Sequence, residues 1–259
     1  MSARVEWISV APVKGLGLVQ LSAVELGWSG AAANRVFYLV DQDGRMVNGK
    51  RLGALATVVP AYDPALMTLS LRFPDGSEVA GEVVRGQEVT TSFFGRPVLG
   101  HAVEGPWSEA LSSYFGRRLS LVKVAHEGEG VDRGAKATVS VLSTASLARL
   151  AEALGAREGL DPRRFRMLFG VSGVAAHAED TWVGRRARFG EAVVAIGGLA
   201  GRCLVTSQDP GTGEPDLDTL GALRSYRRGP EGAEKFPFGV WGAVVQPGRV
   251  ALGDTVAPF

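Results

Sequence analysis

The chain has 259 residues, with 28 Lys+Arg against 27 Asp+Glu and a formal net charge of +1, a balance that excludes a strong electrostatic footprint for nucleic acid or an anionic membrane. At 46% hydrophobic and 21% charged residues, composition excludes disorder as the main state and is enough for one large or two small domains with a proper core. A single cysteine, Cys203, excludes an internal disulfide framework, a CxxC zinc site and a self-contained iron–sulfur cluster.

The histidines His101, His126 and His177 form neither HExxH nor His-x-His, so metal chemistry is expected to arrive with a cofactor rather than with a histidine centre. The first residues contain no apolar signal core, and no apolar run reaches the length of a membrane span. The expectation is a cytoplasmic protein without a nucleic-acid or membrane partner.

With 35 Gly and 13 Pro, the first hundred residues break into short alternating or β-branched runs bounded by turn signals. The spacing predicts strands over 5–10, 36–41, 67–73, 89–93 and 97–102, with turns at Asp43-Gly44 and Asp75-Gly76. At 106–115 the period becomes helical, through Trp107, Leu111, Tyr114 and Phe115, and Gly116 stops the run. The polar, glycine-rich segment 126–134 (HEGEGVDRG) reads as a domain junction or loop.

Beyond it, 139–142 reads as a strand. A helix over 145–154 follows, with Ser143 as N-cap, an apolar face of Leu147, Leu150, Ala151 and Leu154, and Gly155 as terminator. Further strands are predicted at 164–171, 193–196 and 203–206, the last two joined by the glycine-rich stretch 197–201. A helix is predicted over 216–227, and two closing strands over 239–245 and 249–256. The sum is a mostly-β protein with a few packed helices (α+β).

Several motifs resolve to plain readings. Residues 44–51 match a phosphate loop in spacing, but Arg51 stands where a magnesium-binding hydroxyl belongs and no helix pattern follows, so a basic hairpin turn is expected. The acids of 209–216 do not follow the EF-hand spacing and read as a tight turn before a helix. His177, Glu179 and Asp180 read as an exposed loop, with an acid–base cluster as the alternative. Cys203 opens an apolar run, as a buried structural cysteine would, yet Arg202 precedes it. A neighbouring guanidinium favours the thiolate, which ligates soft metals or attacks electrophiles.

Taken together, Ala11-Pro12-Val13-Lys14, Asn34-Arg35-Val36-Phe37, Ser143-x-x-Ser146-Leu147, Arg164-Phe165-Arg166, Glu179-Asp180-x-Trp182-x-Gly184, Arg202-Cys203, Asp209-x-x-Thr212-Gly213, Phe238-Gly239 and Gly253-Asp254 occur in the order seen in MOSC proteins. The chain resembles the two-part form of that family, an amino-terminal β-barrel domain (1–120) followed by a MOSC-type β-barrel (121–259). Relatives of this form include the mitochondrial amidoxime-reducing component and the carboxy-terminal module of molybdenum-cofactor sulfurases.

The resemblance implies a molybdenum cofactor (molybdopterin) between the two parts and no dependence on pyridoxal phosphate. It makes Cys203 the molybdenum ligand and Arg202 its basic neighbour, with Lys14, Arg35 and Arg166 contacting the phosphate or pterin. Guanidinium forks and an ammonium suit a dianionic phosphate, and a thiolate suits molybdenum. Lys136 stands where relatives have hydroxyls and would replace that contact with a charge.

Gly15, Leu168 and Gly201 replace polar residues of the family pattern. The implied activity is reduction of N-hydroxylated or related N–O and S–O small molecules, with electrons from an external donor protein, because no dinucleotide fingerprint is present. Two alternatives are a sulfur-transfer protein with Cys203 as persulfide carrier and a non-catalytic cofactor carrier.

Overall fold

The computed structural model describes residues 2–93, 95–227 and 235–259. Its organising element is a closed barrel of seven strands. Ala3–Val10 hydrogen-bonds to Phe169–Ser172 on one side and Thr255–Pro258 on the other, and Val139–Ser143, Pro237–Gln246, Ala192–Gly201 and Arg186–Phe189 complete the ring. The opening strand of the chain is therefore part of a wall otherwise built from residues beyond 138. Ile8, Val10, Val141, Phe169, Val171, Phe189, Val194, Ile196 and Val240 fill the interior. Each large side chain withdrawn from water contributes about 1.5–3 kcal/mol.

Val139–Ser143 and Phe169–Ser172 run parallel, and parallel neighbours need a crossover. Helix α1 (Trp107–Phe115) lies in the first half of the chain, whereas α2 (Thr144–Leu154) begins this crossover. Ser143 caps α2 by accepting the Ser146 amide at 3.1 Å, and Gly155 closes it in a left-handed conformation. Helix α3 (Thr219–Tyr226) starts later than expected because the Asp218 carboxylate, accepting the Gly221 amide at 2.8 Å, is its N-cap.

The first half forms a second body. A five-stranded sheet runs in the order Val84–Phe93, Arg96–Glu104, Ser120–Val124, Phe37–Val40 and Met46–Val47. Together with a meander of Val59–Asp63, Thr68–Arg72 and Glu78–Glu82, it encloses Phe37, Leu39, Leu69, Leu71 and Trp107. The Trp107 indole N–H donates to the Leu69 carbonyl at 3.1 Å, so α1 is fixed to this core. The mostly-β fold with few helices is as the sequence implies.

Four expectations need correction. Residues 164–171 are not one strand, because Pro162–Phe165 is a 3-10 turn, Arg166 takes φ 52° and the strand begins only at Phe169. Residues 203–206 are not a strand either. Cys203 precedes the 3-10 turn Leu204–Ser207, folded back by the Thr206 amide and hydroxyl on the Cys203 carbonyl. Conversely, the presumed loop 197–201 continues the strand Ala192–Gly201 through register shifts, and the Trp241 ring covers Gly197 and Gly198. The closing segment 249–256 divides into Gly248–Ala251 and Thr255–Pro258.

The barrel wall demands glycine at 170, opposite Trp7, where a Cβ would lie 1.9 Å from the indole. Gly170→Ala is expected to lower the unfolding free energy by about 2–3 kcal/mol in urea titration. An unchanged midpoint would contradict this packing.

Candidate functional site

A cavity of about 480 Å³ opens between the two bodies. Lys14, Arg35, Asn48 and Gly49 reach it from the first, and Arg166, Met167, Gly201, Arg202 and Cys203 from the barrel. Lys14 leaves the opening strand with its amide on the Phe37 carbonyl at 2.8 Å, and the Arg35 amide donates to the Ala11 carbonyl at 2.7 Å. Two of the arginines are in the left-handed region, Arg35 at φ 56° and Arg166 at φ 52°. Side chains other than glycine reach this region at a cost of about 1–3 kcal/mol and cluster at functional sites. Cross-junction bonds hold both: Arg35 Nη2 donates to the Arg166 carbonyl at 3.3 Å, and Arg166 Nη2 to the Leu16 carbonyl at 2.7 Å.

The electrostatics are one-sided. Lys14, Arg35, Lys50, Arg133, Arg164, Arg166, Arg202 and Lys235 line the cavity, and Asp132 is the one carboxylate among the described lining residues; Arg164 is paired with Asp216 outside that lining. Lys14 Nζ lies 2.5 Å from Asp132 Oδ1. Burial lowers the Lys14 pKa to about 8; Asp132 opposes the shift, while Arg35 and Arg166 add to it. Burial and then Arg35 bring Arg166 down to about 10, and burial lowers Arg35 as well. Burial alone would raise the Asp132 carboxyl, but Lys14 and Arg35 outweigh it and hold the group below its ordinary value. Clustered buried cations are stabilised by a nearby anion, and Asp132 supplies one on Lys14.

Cys203 is a free, half-buried thiol on the wall. Its carbonyl accepts from the Thr206 amide at 3.0 Å and hydroxyl at 2.9 Å, and Thr206 bonds at 2.8 Å to Thr219, which opens α3. The backbone carrying the thiol is thus tied to a helix. The Arg202 Nε donates to the Phe238 carbonyl at 2.8 Å and Nη1 to the Phe165 carbonyl at 3.1 Å. Its Nη2 lies 3.0 Å from the Met167 sulfur. Arg202 braces the cavity wall through these contacts, a role that its adjacency to Cys203 in sequence did not reveal.

Lys14, Arg35, Arg166, Arg202 and Cys203 therefore meet in one cavity, whereas Lys136 is exposed on the turn Gly134–Ala137 and only its neighbour Ala137 lines the cavity. Gly15 lines it at φ 94°, so the departure from a hydroxyl residue goes with left-handed backbone. Leu168 belongs to the barrel core and contributes no cavity contact. Sequence reasoning missed Asp132, Asn48, Ser140, Gln208 and Trp241, all on the wall. Asp132 alone carried a signal, as the acid of the glycine-rich junction segment.

The expected exposed loop around His177 is corrected. Glu179 is fully buried and accepts from the Ser143 amide at 3.1 Å and the Ser146 hydroxyl at 2.7 Å. Asp180 pairs with Arg227 at 2.6 Å. These acids anchor α2 and the segment after α3 rather than standing in solvent. The turn at 209–216 is tight, as expected, with the Asp209 carboxylate accepting the amides of Gly211 and Thr212 at 2.8 and 2.9 Å.

The residues present fit a phosphate-bearing group that also carries a metal. Buried cations from both bodies meet the charge, the cavity meets the size, and Cys203 offers one soft ligand. Among the described residues no three His, Cys, Asp or Glu side chains converge as a metal site, so a metal here would need its other donors from the cofactor. No helix among them is long and apolar enough to cross a membrane.

Comparison with known proteins gives the same picture at family level. The MOSC N-terminal beta barrel domain matches residues 2–120 and the MOSC domain residues 125–257. No curated protein matches the chain significantly. Among solved structures, the YuaD protein from Bacillus subtilis is similar at 13% identity and a TM-score of 0.48, over 99% of this chain and 94% of that one. YiiM from Geobacillus stearothermophilus is similar at 14% identity and a TM-score of 0.38, over 68% and 72%. Both likenesses are too distant to inform the chemistry. With the two domain models spanning nearly its whole length, the chain belongs to the MOSC family in its two-part form, a family associated with molybdenum-cofactor binding.

Proposed function

We propose that the protein is a molybdenum-cofactor-dependent reductase of N-hydroxylated or related N–O and S–O compounds, supplied with electrons by a separate donor protein. The observation that carries this reading is the convergence of Lys14, Arg35 and Arg166 with the Cys203 thiol in one cavity. Lys14, Arg35 and Arg166 would hold the phosphate, and Cys203 would be the protein ligand to molybdenum. When bound, the cofactor supplies oxygen-atom-transfer chemistry.

The chain's own residues provide the rest. Two guanidiniums and an ammonium neutralise the anion, and their backbone bonds across the junction fix where it sits. Thr206 and Thr219 hold the backbone of Cys203, and Arg202 closes the wall behind it. Lys14 Nζ keeps a proton near neutral pH with a pKa of about 8. Converting N–OH to N–H and water consumes two electrons and two protons, so a buried proton-bearing group beside the cavity suits the reaction. The sulfur-transfer reading remains distinct in outcome, since it requires a persulfide on Cys203 and no metal.

Protein from a host able to make the cofactor, given reduced viologen, is expected to reduce an amidoxime or N-oxide, and Cys203→Ala is expected to fall to background while folding normally. A persulfide on Cys203 in mass spectrometry, with no reduction by the metal-loaded protein, would contradict the reductase and favour sulfur transfer.

The Lys14 shift sets a pH dependence. Its folded value of about 8 lies below the ordinary 10.5, so between these values the unfolded chain binds more protons and the unliganded fold gains stability as pH rises. Anion binding runs the other way, because Lys14 loses its charge there. Affinity for inorganic phosphate, by calorimetry, is expected to fall as pH rises through about 8. Lys14→Met should bind roughly tenfold more weakly at about pH 7 and lack that inflection. An unchanged inflection in the variant would contradict the role of Lys14.

A further inference from the structure

Segment 126–134 crosses the junction beside the cavity and is held there by its backbone. Arg96 Nη2 donates to the carbonyls of Glu129 at 3.0 Å and Val131 at 3.3 Å. Gly130 lies so close to the Arg35 backbone that a Cβ would sit 1.9 Å from its carbonyl oxygen. These contacts deliver Asp132 onto Lys14. The pairing is asymmetric, because the Lys14 side chain is 10% exposed and that of Asp132 is 52% exposed.

Asp132 is also the sole carboxylate among the described cavity-lining residues. A carboxylate oxygen on a buried ammonium takes the position that a phosphate oxygen would need. The two anions therefore compete for one Nζ, and placing both there would set like charges against each other. Asp132 has a short path to water, because about half of its side chain already faces solvent. Gly128 at φ 82° and Gly134 at φ 66° flank it as points where the backbone can turn.

We propose that Asp132 is an internal counter-ion latch, a carboxylate that neutralises Lys14 in the unliganded protein and swings toward solvent when a phosphate-bearing anion takes its place. The inference rests on the reading that Lys14 binds the anion, and it adds that segment 126–134 moves on loading.

The test uses the full, unloaded chain, with inorganic phosphate as probe. Calorimetry at about pH 6.5, below the Lys14 value, compares wild type with Asp132→Asn. Hydrogen exchange of segment 126–134 in the wild type is followed with and without phosphate. The latch requires Asp132→Asn to bind phosphate at least roughly tenfold more tightly and phosphate to speed exchange in the segment. Binding that is equal or weaker in the variant, or slower exchange with phosphate, overturns the latch and leaves the anion site standing. Absence of phosphate binding in both proteins overturns the anion site and the latch together.

Discussion

Three cations buried together, Lys14, Arg35 and Arg166, set the character of the junction between the two bodies, and their burial is the main cost. Lys14 and Arg35 come from segments next to the first-half sheet, and Arg166 from the barrel side. Burial weakens protonation at all three and neighbouring guanidiniums add to it, Arg133 in the case of Arg35, most visibly in the fall of Lys14 to about 8. Such a cluster is unfavourable by itself, and this fold keeps it by cross-bonding. Arg35 donates to the Arg166 backbone, Arg166 to the Leu16 backbone, and Asp132 sits on Lys14. The three positive charges are thus held in place by the fold itself, with Asp132 as the partner of Lys14.

The thiol side of the cavity depends on a different set of bonds. Cys203 lies just beyond an irregular strand that ends at Gly201, and Thr206, Thr219 and the N-terminus of α3 hold its turn. Arg202 ties the same turn to Phe238 and Phe165, and Glu179 fixes the start of α2 from behind. The position of the Cys203 thiol is therefore set by the helical layer, whereas the position of the cations is set by the junction. A phosphate-and-metal group would bridge these two supports.

Much of the frame was legible along the chain because its signals are local. The Ser143 cap, the apolar face of α2 and the Gly155 stop required no tertiary information, and the same holds for the Gly116 end of α1. Local signals failed where long-range contacts decide the backbone. The alternation across 164–171 resembles a strand, but Arg166 is turned left-handed at the junction. The glycines at 197 and 198 look like a loop until Trp241, distant in sequence, covers them.

The site shows the same division. Matching residues to one family pattern gathered Lys14, Arg35, Arg166, Arg202 and Cys203, which the cavity also unites. The pattern missed Asp132, whose importance comes from the distance to a residue more than a hundred positions away. It could not show that Arg202 spends its donors on the wall, or that Lys136 faces out while Ala137 faces in.

The central claim is that these cations and this thiol together hold a molybdenum cofactor. It is tested most directly by the molybdenum and pterin content of the wild-type chain purified from a cofactor-making host and dialysed. The account predicts about one molybdenum and one pterin per chain, the stoichiometry of a single cavity with a single thiol ligand. Protein that keeps neither, while the same host loads another molybdenum enzyme, would contradict it.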